Sequence, residues 1–164
     1  LVHGPGAIAF LGDGVARLPE MLERGIRVGL GPDGGCANNR QSVFDEMRQA
    51  SLMTKARLHD GGAVDAPTMF RLGTAAGGDV LNLPVGEIGP GKAADLVALD
   101  LTDLSLQPLE TLDRHIVNSM QATAIARVMV AGEVVAERGI PTKIDAAALR
   151  AELSGIVRSW ERPV

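Results

Sequence analysis

The sequence contains one cysteine, Cys36, and few aromatic residues. A single cysteine excludes a disulfide bond within the chain, and it argues against a metal site built from thiolates, which needs several of them. Aromatic residues make up 2% of the 164 residues, beside 20 glycines, so the core must be built from Leu, Val, Ile, Ala and Met. A cysteine-poor chain fits a reducing compartment, and we expect a cytoplasmic protein.

Long apolar runs and concentrated charge are missing too. The sequence has no signal-peptide pattern and no apolar run of the roughly 20 residues that span a membrane. Its net charge is −4, with Lys and Arg scattered along the chain. This excludes the basic stripe that binds nucleic acid or an anionic membrane, and we expect neither as a partner. A P-loop and a nucleophile elbow are absent as well.

The first half of the sequence alternates glycine-rich loops, helices and strands. With 46% hydrophobic residues, the chain is long enough to bury a core. Residues 3–14 hold too many glycines for a regular element and predict a loop, whereas residues 15–25 predict a helix that ends at Gly25. Residues 26–31 then predict a short strand. This order is typical of α/β folds, in which helices join parallel strands.

A long helix is predicted over residues 43–58. Ser42 precedes it and is a typical N-cap residue. Asp45 and Glu46 lie in the first turn, where the positive end of the helix dipole favours carboxylates. The buried face is predicted from residues at helical spacing, namely Val43, Met47, Ala50 and Thr54.

Two more helices are predicted further along the chain. Residues 65–78 predict a helix with Asp65 as its cap and Gly77–Gly78 as its stop. The tail, residues 145–164, predicts an amphipathic helix. Its apolar residues follow at spacings of four, three and four, and they are Leu149, Leu153, Ile156 and Trp160.

Beyond about Leu83 the pattern becomes β-rich. Residues 86–101 predict a glycine-rich turn that leads into a strand. Residues 125–139 predict two short strands joined by a tight turn at Ala131–Gly132. The change in composition indicates a structural unit different from the first half of the chain.

Asp33 is the strongest candidate for chemistry in the sequence. It lies just past the predicted strand, within the glycine-rich stretch "GPDGG" of residues 31–35. Barrels of the α/β type gather catalytic groups at the carboxyl ends of their strands, and flanking glycines let a ligand approach closely. The alternative is that Asp33 caps the following turn through its own backbone, as Asp-Gly pairs often do. The spacing alone leaves both interpretations open.

Other side chains are candidates for the same site. His3 follows a short apolar stretch and can act as a ligand or an acid–base group, because imidazole titrates near neutral pH. A structural role is the alternative for His3. Asn38 and Asn39 can hydrogen-bond a substrate or the Asp33 loop, with an Asx turn as the alternative. His59 and His115 are interpreted as structural, since each lies beside a predicted helix or an apolar run.

Taken together, these stretches resemble a known family. The runs "HGPGAIAFLGDG" and "GPDGGCANNRQSVFDEMRQASLMTK", separated by a helix and a strand, are similar to the amidohydrolase superfamily. The similarity is to its branch of metal-dependent aminohydrolases, which includes deaminases and triazine chlorohydrolases. There a His-x-Pro loop precedes a helix, a strand, a "GTDG" turn and a helix carrying Glu-Met-Arg. The later runs "VGEIGPGKAADLVALDL" and "IARVMVAGEVVAERG" match the family's closing section.

The resemblance implies an α/β fold in which the chain is the C-terminal part of a (βα)8 TIM barrel, followed by the closing strands of a small β-sandwich domain and a C-terminal helix. Residues 1–83 would belong to the barrel, residues 84–140 to the sandwich and residues 141–164 to the helix. One divalent metal, Zn or Fe, would be bound by Asp33, which in the family accepts a proton from the attacking water. The implied substrate contacts are His3, Asn38 and Asn39.

The sequence departs from the family's pattern in its loops and in its length. Pro32 replaces the threonine of "GTDG", and Ala7–Ile8 replace a Ser-Asn pair in the His-x-Pro loop. The His-x-His of the family's first strand, the His and Glu of its fifth strand and the His of its sixth have no counterpart here. We therefore expect the chain to begin inside a barrel strand. Its expected partners are a remaining N-terminal part of the barrel and further copies in a homo-oligomer.

The function that the resemblance implies is hydrolytic deamination of a nitrogen heterocycle, a purine, a pyrimidine or a related ring, by metal-activated water. Dechlorination of a triazine or hydrolysis of an amide C–N bond is the alternative on the same scaffold. A further alternative is a truncated, non-catalytic module that serves binding or oligomerisation.

Overall fold

The computed structural model describes residues 1–160 and shows a mixed α/β fold. The first part of the chain forms helices around a short parallel sheet, with β1 (Val2–His3), α1 (Pro5–Leu11), α2 (Leu18–Glu23), β2 (Gly29–Leu30), α3 (Gly35–Asn38), α4 (Val43–Leu58), α5 (Ala66–Leu72) and α6 (Ala75–Leu81). The second part contains an antiparallel sheet and two helices, with β3 (Leu96–Leu99), α7 (Leu112–Asn118), β4 (Ile125–Val130), β5 (Glu133–Glu137), β6 (Ile140–Pro141) and α8 (Ala146–Ser159).

Strands β1 and β2 are parallel neighbours, so both end at the same edge of their sheet. His3 is the register partner of Leu30, and the Gly31 N–H donates to the His3 carbonyl oxygen at 3.2 Å. Helix α6 packs closely against β2, because a Cβ at Gly29 would lie 3.0 Å from the Cα of Gly77. The missing side chain at Gly29 lets the helix approach the strand.

Helix α4 has the cap and most of the buried stripe that the sequence predicts. The Ser42 Oγ accepts a hydrogen bond from the Asp45 N–H at 3.3 Å, and His59 ends the helix with a left-handed φ of 52°. Val43 is half-buried at the start of the stripe. The other predicted members are buried, namely Met47, Ala50 and Thr54. This face joins the main core beneath the parallel sheet.

The loop predicted over residues 3–14 is wrong in its middle, because Pro5–Leu11 form α1. Pro5 lies in the first turn, where its fixed φ favours a helix and its missing N–H removes no hydrogen bond. Gly12 ends the helix with a φ of 77°, which glycine adopts without strain. Glycine content is a misleading signal here, since these glycines end or pack a helix rather than prevent one.

Two predicted elements near β2 are shorter than expected. The helix predicted over residues 15–25 is α2, Leu18–Glu23, with Pro19 in its first turn. Proline lacks the N–H that a preceding turn would need, so the helix starts late. The strand predicted over residues 26–31 is reduced to Gly29–Leu30, the residues that pair with β1.

The helix predicted over residues 65–78 is two helices. Asp65 caps α5 as predicted, because its Oδ1 accepts a hydrogen bond from the Thr68 N–H at 2.9 Å. The chain then breaks at Gly73, where a Cβ would lie 2.8 Å from the Met47 side chain. The predicted stop at Gly77–Gly78 is wrong, since α6 runs through both residues to Leu81. Gly78 serves close packing, because a Cβ there would lie 2.4 Å from the Val85 carbonyl oxygen, and neither glycine ends the helix.

The antiparallel sheet has the order β3-β4-β5-β6. Its central hairpin confirms the prediction, because Ala131 and Gly132 join β4 to β5 with φ values of 50° and 82°. The predicted strand within residues 86–101 is β3, which pairs with β4. Between β3 and β4, α7 and short 3-10 turns form a second small core, whose buried residues are Leu106, Ile116 and Ala124. The sequence pattern predicted no element there.

The predicted C-terminal helix is α8. The Asp145 carboxylate caps it by accepting hydrogen bonds from the N–H groups of Ala147 and Ala148, at 2.9 and 3.0 Å. The predicted apolar face is exposed at all four of its residues, Leu149, Leu153, Ile156 and Trp160. Residues 161–164 of the predicted helix lie outside the described residues. Within residues 1–160, no helix combines the length and the apolar character needed to cross a membrane.

Candidate functional site

The ends of β1 and β2 bring two loops together. β1 ends at His3 and leads into α1, whereas β2 ends at Leu30 and leads through Asp33 into α3. A Cβ at Gly4 would lie 3.1 Å from the Gly31 carbonyl oxygen, so the backbones of the two loops are in contact. The parallel pairing therefore places His3 and Asp33 at the same edge of the sheet.

The Asp33 side chain is exposed at this edge. Its Oδ1 accepts a hydrogen bond from the Gly34 N–H at 2.7 Å, and its backbone carbonyl accepts one from the Gln41 side-chain amide, also at 2.7 Å. The Oδ1 contact reaches only the next residue, and within residues 1–160 no side-chain hydrogen bond caps the start of α3, so turn capping by Asp33 stays a prediction. Among the described residues, none donates to Asp33 Oδ2, which leaves this oxygen available to a ligand. Gln41 holds the Asp33 loop through this contact with the backbone, and no sequence pattern predicts that role for it.

His3 is buried, with 7% of its surface exposed. Burial lowers the pKa of its imidazole below the ordinary value of 6.5, because the charged form loses its hydration. The ring is therefore neutral near pH 7, with one nitrogen able to donate a hydrogen bond and the other able to accept one. Such a ring can recognise a neutral polar ligand.

The two asparagines that follow Asp33 occupy different environments. Asn38 is buried, and its Nδ2 donates to the Glu46 carboxylate at 2.6 Å. Its amide therefore serves the framework of the loop, and a substrate contact for Asn38 stays a prediction. Asn39 is exposed and ends α3 with a φ of 63°, its N–H donating to the Gly35 carbonyl oxygen at 3.0 Å. This contact comes from the Asn39 backbone, whereas the Asx turn expected as the alternative needs the side chain, so the Asx turn of Asn39 stays a prediction. The Asn39 side chain is exposed.

Glu46 is the residue of this region that sequence reasoning missed. It lies in the first turn of α4 and is fully buried, at 0% exposure. Its Oε2 accepts a hydrogen bond from the Gly6 N–H at 2.9 Å, in addition to the contact from Asn38 to Oε1. A signal exists in the sequence, since Glu46 lies three residues after Val43 and one before Met47, on the side of the helix that carries the apolar stripe.

The described residues fit part of a metal site. Within residues 1–160, no group of three or more His, Cys, Asp and Glu side chains is placed to hold a metal ion. A catalytic zinc ion needs about three protein ligands in addition to water. The exposed Asp33 carboxylate, on a glycine-rich loop without bulky neighbours, has the chemistry of one of them. Cys36 is exposed and is the only thiol in the sequence.

The remaining histidines lie at helix ends and make local contacts. His59 ends α4 in the left-handed conformation noted above. His115 lies in α7, where its Nδ1 is 2.8 Å from the Thr111 carbonyl oxygen. Both positions agree with the structural roles predicted for them.

Sequence comparison identifies the family to which this fold and this loop arrangement belong. The model of the amidohydrolase family matches residues 1–135. The chain belongs to the amidohydrolase family. A 5-methylthioadenosine/S-adenosylhomocysteine deaminase from Nitratidesulfovibrio vulgaris is 37% identical over 161 residues, which cover 98% of this chain and 36% of that protein. A protein of the same name from Natronomonas pharaonis is 34% identical, covering 93% of this chain and 35% of that protein.

Solved structures agree with the α/β fold. An adenosine deaminase from Xanthomonas campestris with bound zinc superposes with a TM-score of 0.87 at 29% identity, covering 97% of this chain and 37% of that protein. An atrazine chlorohydrolase from Arthrobacter aurescens, complexed with zinc, gives a TM-score of 0.84 at 22% identity, covering 95% of this chain and 35% of that protein. At the lower identity the likeness concerns the fold alone. The chain spans about a third of the length of the curated relatives that it matches.

Proposed function

We propose that this chain supplies the C-terminal part of a metal-dependent hydrolase that deaminates a nitrogen heterocycle. The adenine ring of 5-methylthioadenosine or S-adenosylhomocysteine is the first substrate to test, because relatives that are 37% and 34% identical carry the name of such deaminases. The observation that carries the proposal is the exposed Asp33 carboxylate just past the carboxyl end of β2, on a loop whose backbone contacts the loop that follows His3.

Hydrolytic deamination replaces the exocyclic amino group of the ring by an oxygen atom from water and releases ammonia. One proton of the water must therefore reach the leaving nitrogen. A divalent metal, when bound, lowers the pKa of a coordinated water to about 7. We assign to Asp33 one ligand position and, through the same carboxylate, the uptake of the water proton and its delivery toward the leaving amine.

The neighbouring residues are proposed to orient the substrate. The neutral His3 ring can hydrogen-bond a ring nitrogen or the loop that holds Asp33, and we place it beside the substrate rather than on the metal. Asn39 offers an exposed amide at the end of α3. Asn38 is the weaker candidate for substrate contact, because its amide donates to Glu46 inside the protein.

The rest of the site is proposed to come from outside this chain. Residues 1–83 would close a (βα)8 TIM barrel with an N-terminal part that carries the other metal ligands. Residues 84–140 would complete a small β-sandwich, and residues 141–164 a C-terminal helix. The exposed apolar face of α8 supports a homo-oligomer. Zinc is the proposed metal, with iron as the alternative, and the cytoplasm is the proposed location.

The test uses a full-length polypeptide that includes this chain. Emission spectrometry measures its metal content, and an enzyme-coupled assay measures ammonia released from 5-methylthioadenosine, S-adenosylhomocysteine, adenosine, cytosine and a chlorotriazine. We expect bound divalent metal and ammonia from the adenine nucleosides. Chloride from the triazine without ammonia from any nucleoside would assign the alternative dechlorination. Purified protein without metal and without turnover would contradict the proposal and favour a non-catalytic module.

A further inference from the structure

Glu46 links the two loops of the candidate site through one buried carboxylate. Its Oε2 accepts from the Gly6 N–H at 2.9 Å, and its Oε1 accepts from the Asn38 Nδ2 at 2.6 Å. Gly6 lies in the first turn of α1, shortly after His3, and Asn38 is the last residue of α3, which begins just after Asp33. Each oxygen of the carboxylate thus holds the loop of one candidate site residue.

The packing around the carboxylate leaves little freedom. A Cβ at Gly6 would lie 2.5 Å from the Asn38 Oδ1 and 2.6 Å from the Glu46 Oε1. Position 6 must therefore be glycine for its backbone to lie this close to the Asn38 and Glu46 side chains. The carboxylate itself is fixed from below, because α4 is anchored in the main core by Met47 and Ala50, each 1% exposed.

A carboxylate suits this position for a physical reason. It offers two oxygens that only accept, and it meets two N–H donors, so both hydrogen bonds are charge-assisted. The first turn of a long helix adds a favourable dipole. Burial of the charge is compensated by these contacts, whereas an apolar side chain would leave two buried donors unpaired.

We infer that Glu46 is a positioning residue, which sets the separation of the His3 and Asp33 loops by holding Gly6 and Asn38 to a single rigid point. The inference rests on the proposed function for its catalytic consequence. Its structural consequence is independent of that function, because the two loops must loosen together when the carboxylate is removed. A residue that only stabilised α4 would not couple them.

Glu46→Met removes both acceptors at similar side-chain size in the full-length protein. We expect faster amide hydrogen exchange in both residues 4–7 and residues 34–39, together with a fall in kcat of about 10²-fold, as a displacement near 1 Å produces. The KM should change less than kcat. Unchanged exchange in the two loops would overturn the inference, and so would loosened loops with wild-type kcat.

Two further variants keep the inference testable if Glu46→Met folds poorly. Glu46→Gln keeps an oxygen that accepts from the Gly6 N–H. Its new amide nitrogen can donate to the Asn38 Oδ1 once the Asn38 side-chain amide rotates by half a turn. We therefore expect kcat to be higher than in Glu46→Met and within about tenfold of wild type. Asn38→Ala removes the contact of Glu46 with the Asp33 loop and keeps its contact with Gly6. Residues 34–39 should therefore exchange faster while residues 4–7 stay protected. A raised KM in Asn38→Ala with unchanged exchange would instead assign Asn38 to substrate contact and overturn the positioning role.

Asp45→Asn is the matched control. Asp45 is the neighbouring carboxylate in the same helical turn, and it forms an ion pair with the exposed Arg40 at 2.6 Å. We expect wild-type exchange and kcat in this variant. Ammonia release by the wild-type protein decides the proposed function separately. Loop exchange decides whether Glu46 couples the loops, even in a protein that releases no ammonia.

Discussion

The guanidinium group of Arg57 donates hydrogen bonds to both carboxylate oxygens of Glu20, at 2.9 and 2.7 Å. This contact ties the end of α4 to α2, over a distance of 37 residues in sequence. The hydrogen bond from Arg57 is the largest cause that lowers the pKa of Glu20 below its ordinary value of 4.5. The planar fork of arginine matches a carboxylate in this two-pronged geometry.

Glu20→Gln should lower the melting temperature at pH 7, because the amide no longer carries the charge that Arg57 meets. Since the folded-state pKa is lowered, the stabilisation is present above pH 4.5 and is lost as pH falls through the folded-state value. The difference between wild type and variant should therefore shrink at pH 3. Glu23→Gln, an exposed carboxylate of the same helix, is the control. Equal differences at both pH values would contradict the assignment.

Asp33→Asn should reduce kcat for ammonia release by about 10³-fold or more, because it removes a charged ligand and a proton acceptor together. The melting temperature should change little, since the side chain is exposed and its Gly34 contact can be kept by the amide oxygen. Steady-state kinetics and metal content are measured on the same preparation. Glu110→Gln, an exposed carboxylate in the second part of the chain, should leave both unchanged. Turnover like that of the wild type in Asp33→Asn would remove Asp33 from the mechanism.

His3 should make the folded protein sensitive to mild acid. Its folded-state pKa lies below 6.5, so the unfolded chain binds more protons and stability is lost as pH falls from 6.5 toward the folded-state value. The slope contributed by one such group is at most about 1.4 kcal/mol per pH unit. Urea unfolding at pH 5.5 and 7.5 measures it, and His3→Asn should remove this part of the pH dependence. A variant that keeps the full wild-type slope would show that other groups cause it.

Gly77 and Gly78 form a matched pair in α6. A Cβ at Gly78 would lie 2.4 Å from the Val85 carbonyl oxygen, whereas the structure places nothing within 4 Å of a Cβ at Gly77. Gly78→Ala should therefore cost about 1–3 kcal/mol as the backbone shifts. Gly77→Ala should be neutral, or stabilising by up to about 1 kcal/mol through helix propensity. Thermal unfolding of the two variants compares them directly, and equal effects would contradict the packing described for Val85.

The elements that the sequence predicts correctly carry their signals within a few residues. Ser42 meets the N–H of Asp45 one turn away, and Ala131–Gly132 close a hairpin between adjacent strands. The errors at α1 and at the break between α5 and α6 have the opposite origin. Gly73 and Gly78 are required by groups distant from their own turn, and a local pattern cannot distinguish packing glycines from helix stops.

The candidate site divides in the same way. The juxtaposition of His3 and Asp33 follows from parallel pairing of short strands, and the resemblance to a family supplied the chemistry expected of Asp33. Glu46 was assigned only a favourable place at a helix N-terminus. Its contact with Gly6 spans 40 residues of sequence, so nothing near it in the chain predicts the partner.

The close fit at Gly6 has a consequence for the evolution of this chain. Gly6, Asn38 and Glu46 fill one small volume although they belong to three different helices. A larger side chain at any one of these positions must be matched by a smaller or reoriented one at another. The three positions should therefore covary among related sequences, so that the residue at one position predicts the residues at the other two.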